Sequence, residues 1–375
     1  MKNDNCLDVF LVLMRAGLWE KDVELSMLGE VDFAEVYRIA EEQAVMGVVA
    51  AGLEHLADIT VPKADALTFV RIALQMEQRN LTMNTFLADM YGQLREKGIN
   101  PIVVKGQGIA QCYERPLWRS SGDIDLLLNE SDYEKAKEWF GARGEVIEEE
   151  HEYRKRIEYE VDSWLVELHG TMRGQLGRRI DRVIDEVQGA IFEEGRVRSW
   201  MNGATEVLLP SPDEDVILVF AHILQHFFRG GIGLRQICDW CRLLWCYRSE
   251  LDMELLKSRI HAMGVMSEWR AFAALAVDEL GMPVDAMPFY SEAGRWKRKA
   301  LRILRYVIKV GNFGYNRDLS YKRRYSFLRR MVTSLYYRTC DFVCQVRVFP
   351  WDALRAYLHL WINGVEAVFR VGNEK

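Results

Sequence analysis

What this chain lacks narrows the reading first. No uninterrupted apolar run approaches the roughly 20 residues that a bilayer-spanning helix requires. The 7 cysteines are scattered, and no basic N-terminal segment leads into an apolar stretch with a small-residue cleavage site. A secreted disulfide scaffold is therefore not expected, and the cytoplasm is the expected location. Basic residues do not outnumber acidic ones: 49 against 55 give a formal charge of −6 and a pI near 5.8. That balance excludes a protein that coats nucleic acid with its whole surface, while a local basic patch stays open. Internal repeats and low-complexity linkers are missing too.

What is there is a globular composition. With 49% hydrophobic and 28% charged residues over 375 positions, a substantial core is expected, as one large domain or two to three smaller ones. The pattern divides into three regions. Residues 1–98 carry apolar residues at helical spacing, with Asp32 and Glu35 placed as a capping box. Their last long stretch has no proline and stops at Gly98, where a helix C-cap is expected. Residues 99–210 switch to short β-branched or alternating runs, PIVVK, DIDLLL, EVIEEEHEYRKRIEYE, SWLVELH and TEVLLP, around a helix opened by Ser131 and Glu134. Residues 211–375 turn helical again. The fold class expected is α+β, a mixed sheet between two helical regions.

One stretch asks for an explanation. In RSSGDIDLLL, residues 119–128, Asp123 and Asp125 stand at i and i+2 of a strand and share a face, while Ile124, Leu126 and Leu128 take the other. An exposed edge strand would carry two acids at little cost, but the neighbourhood argues for more. Upstream, PIVVKGQGIAQCY runs a strand into Gly106 and Gly108 and then a helix, an arrangement that aims backbone N–H groups at an anion. Downstream, SWLVELHG sets Glu167 and His169 on one strand face. Three carboxylates beside such a turn describe a site for two divalent cations that bridge a nucleotide's phosphates.

The run VVKGQGIAQCYERPLWRSSGDIDLLL, followed by VELHG, resembles the nucleotidyltransferase fold of the DNA polymerase beta superfamily, and within it a branch of mostly uncharacterised bacterial nucleotidyltransferases. Gly106 matches the turn, Asp123 and Asp125 the acidic pair, and Glu167 the third acid. Gln107 stands where the superfamily usually has Gly or Ser, whereas Lys105-Gly106, Tyr113 and Arg119 are what the branch tends to show. The resemblance implies that residues 99–210 are the catalytic domain, with Asp123, Asp125 and Glu167 as catalytic and metal-holding groups. Lys105, Gly106, Gln107, Gly108 and Arg119 would bind the nucleotide. It implies Mg²⁺ or Mn²⁺ as cofactor, an NTP as substrate, and transfer of a nucleoside monophosphate to a hydroxyl or phosphate acceptor, a small molecule or protein in preference to nucleic acid. The rival reading is a non-catalytic module that uses the fold to bind a nucleotide or partner; a further one is nucleotidylylation of a protein.

His169 shares the Glu167 face and is placed to orient it or to touch the acceptor, or else to pack in the strand. His226, Arg229, Arg235 and Asp239 are placed to line a cleft between the helical region and the sheet, or to form an interhelical polar network. His222, His226, Cys238 and Cys241 can be drawn as zinc ligands, but LRQICDWCRLLW is a continuous helical pattern in which the two cysteines read as core residues. Residues 295–330 are rich in Lys, Arg and aromatics. That segment suits an anionic partner or membrane surface, or forms the solvated face of helices.

Overall fold

A computed structural model describes residues 2–150, 155–317 and 327–358 of the chain. Helical periodicity at the start yields α1 (Lys2–Trp19), α2 (Phe33–Glu42), α3 (Met46–Glu54) and the long α4 (Lys63–Glu96). Asp32 caps α2 by accepting from the Glu35 amide at 3.2 Å. The Glu35 carboxylate turns to Arg38 and leaves the box half formed. After α4, Gly98 adopts φ +70°, a left-handed terminus that costs glycine nothing.

The alternating runs then build a mixed sheet of five strands: β1 (Ile102–Val104), β2 (Asp123–Leu127), β3 (Glu145–Glu148), β4 (Arg156–Val161) and β5 (Trp164–His169), in the order β1-β2-β5-β4-β3. Only β2 and β5 pair in parallel; the other neighbours are antiparallel. The short α5 (Gly106–Ala110) follows β1, and α6 (Glu130–Gly141) follows β2. The cap of α6 is Asn129, two residues before the expected Ser131, because its side chain accepts from the Asp132 amide at 2.9 Å. The expected run from 145 to 160 is split between β3 and β4, with residues 151–154 outside the described ones. TEVLLP forms β7 (Thr205–Pro210), which pairs not with the sheet but with a strand that its sequence had not announced, β6 (Val197–Asn202).

Helices close the rest: α7 (Arg178–Phe192), α8 (Pro212–Arg229), α9 (Leu234–Cys246), α10 (Met253–Met263), α11 (Met266–Ala274), α12 (Gly294–Val310) and α13 (Phe327–Val346). The parity of β2 sorts its residues between two cores. Ile124, Leu126 and Leu128 join Val166 and Leu168 of β5, Leu87 and Tyr91 of α4, and Phe140 of α6 on one face. Leu127, on the Asp123 and Asp125 face, joins the large helical core that includes Phe220 and Phe227 of α8 and Trp240 of α9. Phe220, Trp240 and Trp269 meet with ring centroids 4.7–5.2 Å apart. Full burial of such side chains contributes about 1.5–3 kcal/mol each or more. This packing fixes α8 and α9 over the acidic face of the sheet. No helix among the described residues is long and apolar enough to cross a membrane.

Candidate functional site

Strand alternation delivers the acidic side chains to one place. The parallel ladder sets Asp125 directly beside Glu167, and Leu127 beside His169. Asp123, Asp125, Glu167 and His169 all line a cavity of about 350 Å³, together with Lys105, Arg156, Arg235 and the α8 residues His222 and His226. The ligand atoms of Asp125, Glu167 and His169 lie within 4.8 Å of one another. Asp123 lines the same cavity one pleat away and has no hydrogen-bonding or ion-pair partner among the described residues.

Cations already neutralise part of this cluster. Lys105 Nζ donates to Asp125 Oδ1 at 2.8 Å, and His169 Nε2 lies 2.8 Å from the same oxygen. Arg156, beside His169 in the β4–β5 ladder, pairs with Glu167 and also donates to Glu148 at 2.8 Å. Burial would raise the Asp125 carboxyl, but the Lys105 ammonium and the His169 ring beside it win and hold it far below the ordinary carboxylate range. The Asp123 carboxyl is raised instead, by burial and then by the charge of Asp125. Burial and the nearby Lys105 lower the His169 imidazole. The same two causes push His222 well below its usual value and His226 down to about 3. All three rings are thus neutral at pH 7.

The Gly turn sits at the cavity edge. Lys105 and Gly106 have φ of +58° and +36°. A Cβ on Gly106 would find its nearest neighbour, the Asp123 carbonyl oxygen, at an ordinary 3.5 Å. Glycine is needed there for the backbone conformation, not for space. Gln107 turns away from the cavity and donates to Asn80 at 3.2 Å in the sheet core. Gly108 faces Leu209, whose Cδ2 would lie 2.8 Å from an added Cβ.

Over residues 29–281 the sequence matches the family described as uncharacterised nucleotidyltransferase. The chain belongs to that family. No curated protein and no solved structure matches it. The matched span runs from just before α2 to beyond α11 and so includes every strand of the site and the α8–α9 wall.

In this nucleotidyltransferase family member the residues singled out by sequence separate into groups. Asp123, Asp125, Glu167, Lys105, Gly106 and His169 come together on the cavity, as do His226 and Arg235. Arg119 reaches the cavity edge but is committed elsewhere: its Nε and Nη2 donate to both carboxylate oxygens of Asp239 at 2.7 Å. The Tyr113 hydroxyl donates to the same carboxylate at 2.8 Å. Cys238 and Cys241 are fully buried in the helical core, while His222 and His226 meet edge-to-face, with ring centroids 4.3 Å apart, on the cavity wall; the His–Cys set does not assemble.

Among the cavity residues that sequence reasoning did not place at the site are Arg156, Gln225 and Phe313. Arg156 was recoverable only from the β4–β5 register, which spacing does not give. Phe313, at φ +52°, reaches His226 at 4.9 Å and lies under the Arg235 guanidinium. Its part of the basic segment is described; residues 318–326 of that segment lie outside the described residues. In α12, Trp296, Ile303 and Val307 are buried, while Arg295, Arg298, Arg302 and Arg305 are exposed. The basic character there is the outer face of an amphipathic helix.

Proposed function

We propose that the cavity is the active site of a nucleotidyltransferase that moves a nucleoside monophosphate from an NTP to a hydroxyl or phosphate acceptor. The observation that carries this reading is the meeting of Asp123, Asp125 and Glu167 on two parallel strands at one cavity wall, in a chain of a nucleotidyltransferase family. The residues present fit divalent metal. Hard cations such as Mg²⁺ or Mn²⁺ take carboxylate oxygens, and Asp123 is a half-buried carboxylate with no side-chain partner among the described residues. Asp123, Asp125 and Glu167 would hold two such ions. When bound, the ions supply charge neutralisation on the triphosphate and an activated acceptor hydroxyl.

The chain's own groups do the rest. Asp123 brings to the cavity a carboxylate whose charge burial and Asp125 disfavour, and a bound cation would offset that charge. Lys105 and Arg156, which pair with Asp125 and Glu167, would turn toward the phosphates if those acids held metal. Arg235 takes the phosphate contact that the sequence reading assigned to Arg119. It keeps a buried Nε without a hydrogen-bonding partner among the described residues, and among those residues its Nη1 donates to the Ser120 carbonyl at 3.0 Å. Arg119 instead serves as a strut. The neutral rings of His222 and His226, with Phe313, offer an uncharged wall to a base or acceptor.

The test is transfer of label. The protein is incubated with each α-phosphate-labelled NTP, Mg²⁺ or Mn²⁺ and a cell extract, beside Asp123→Asn. Label appearing on a small molecule, on a partner or on the chain itself, and absent with the variant, supports transfer and identifies the acceptor class. Nucleotide binding without transfer, under every NTP and both cations, would leave a binding module and sink the enzymatic reading.

A further inference from the structure

Resting on the reading that these acids hold a divalent cation, we infer that His169 is itself a ligand. The cation held between β2 and β5 then carries one nitrogen donor, and the site favours Mn²⁺ over Mg²⁺. The geometry of the cluster carries this. Two ligand atoms at right angles on a cation with bonds of about 2.1 Å stand about 3 Å apart. His169 Nε2 lies 2.8 Å from Asp125 Oδ1 and 3.5 Å from Glu167 Oε2, which brackets that separation on both sides. The three donor atoms stay within 4.8 Å of one another. Asp123, the acid expected from the motif to share the metal, is not a member of this tight group.

Strand register explains why the nitrogen is there. Glu167 and His169 are two apart on β5 and share a face, and β5 lies parallel to β2 with Asp125 opposite Glu167. The imidazole therefore sits one pleat further along the same wall as the two carboxylates. It is 6% exposed, and its neighbours hold it in place.

The proton balance is simple. In the cation-free protein the neutral ring donates its Nε2–H to Asp125. A cation at Nε2 requires the other tautomer, with the proton on Nδ1, and exchange with solvent gives that without net release. Lys105 and Arg156 must leave the carboxylates at the same time, and Arg156 keeps Glu148 as an alternative partner. Mn²⁺ is also a hard ion, but as a first-row transition ion it accepts an imidazole nitrogen more readily than Mg²⁺, which keeps to oxygen and water. The nitrogen thus discriminates between the two ions.

The experiment loads the full chain with Mn²⁺ without nucleotide and records pulsed electron paramagnetic resonance. The expected result is a ¹⁴N coupling on Mn²⁺ that changes to the ¹⁵N pattern when the protein carries ¹⁵N-histidine. It persists in His222→Gln and disappears in His169→Gln. Titration should show His169→Gln losing roughly tenfold in Mn²⁺ affinity, with Mg²⁺ changed less than about twofold. Bound Mn²⁺ with no nitrogen coupling in the wild type overturns the inference and leaves the oxygen-only site standing. So does a coupling that survives His169→Gln. No bound Mn²⁺ at all overturns the metal reading and this inference with it. The wild-type spectrum decides even where a variant fails to fold.

Discussion

The Arg119 guanidinium holds both carboxylate oxygens of Asp239 at 2.7 Å, with side chains 5% and 6% exposed. This pair ties the segment that leads into β2 to α9, and thereby fixes the strand that carries Asp123 against the helical wall. Asn80 of α4 adds a second hold, donating to the Arg119 carbonyl at 2.8 Å. Removing one partner of such a buried pair leaves the other charge unpaired, which costs about 3–5 kcal/mol. Asp239→Ala should lose stability by that amount in denaturant unfolding. A loss below about 1 kcal/mol would show that the pair is not what holds the wall.

The two acids of the motif should behave differently without metal. Asp123 has no side-chain partner among the described residues, and its carboxyl is raised by burial and Asp125. Its charge therefore opposes folding at pH 7, and that opposition fades as the pH falls through its raised value. Asp125 is held low by Lys105 and His169 despite its burial; its charge stabilises the fold, and that stability is lost as the pH falls toward the low folded value. Asp123→Asn should leave the metal-free melting temperature unchanged or higher, whereas Asp125→Asn should lower it. Both should abolish stabilisation by Mg²⁺ with NTP, since a ligand stabilises only the state that binds it. A lowered melting temperature in Asp123→Asn would mark that carboxylate as structural.

The strand face of this site was legible because parity is a local rule. Asp123 with Asp125, and Glu167 with His169, fall on shared faces from spacing alone, and apolar neighbours at Ile124 and Val166 point the other way as alternation requires. What spacing does not carry is which strands lie side by side. Arg156 reaches Glu167 only because β4 pairs with β5, and β6 was passed over because VRSWMN has no clean alternation. Arg119 shows the same limit: a cation near a phosphate motif reads as a ligand contact, and only the packing of α9 reveals Asp239 beneath it. Gln107 turned inward for a similar reason, since Asn80 lies on a helix some 27 positions upstream.

The neutral histidines on α8 give the cavity a pH response. Burial and nearby cations lower His222 well below its usual value and His226 to about 3. An unfolded histidine gains its proton near pH 6.5. Between that value and the folded one the unfolded state binds more protons, so stability falls as the pH is lowered through this window. His226→Gln should reduce the slope by up to about 1.4 kcal/mol per pH unit between pH 6 and 4. Unfolding free energies measured across that range check it, and an unchanged slope would mean that His226 is protonated in the folded chain.

Arg235 and Arg119 form the sharpest contrast in the site, because both are guanidiniums on the same cavity and only one is spoken for. Arg119 is bound twice to a carboxylate. Arg235 has one carbonyl contact, lies over Phe313 with its carbon 5.7 Å from the ring centroid, and is lowered by burial and by Arg119. A half-buried cation with no ion pair among the described residues keeps its charge available to phosphate oxygens. Arg235→Gln should hold or raise the melting temperature of the free protein and weaken NTP binding by roughly 1–3 kcal/mol, as for loss of a charge-assisted contact. Arg119→Gln should lower the melting temperature, and its effect on NTP affinity should follow only from the disturbed wall. Lys105→Ala should resemble Arg235→Gln in affinity. Calorimetry with a non-hydrolysable NTP, beside thermal melts of each variant, separates the two classes. Full affinity in Arg235→Gln together with a loss in stable Arg119→Gln would reverse the assignment and return the phosphate contact to Arg119.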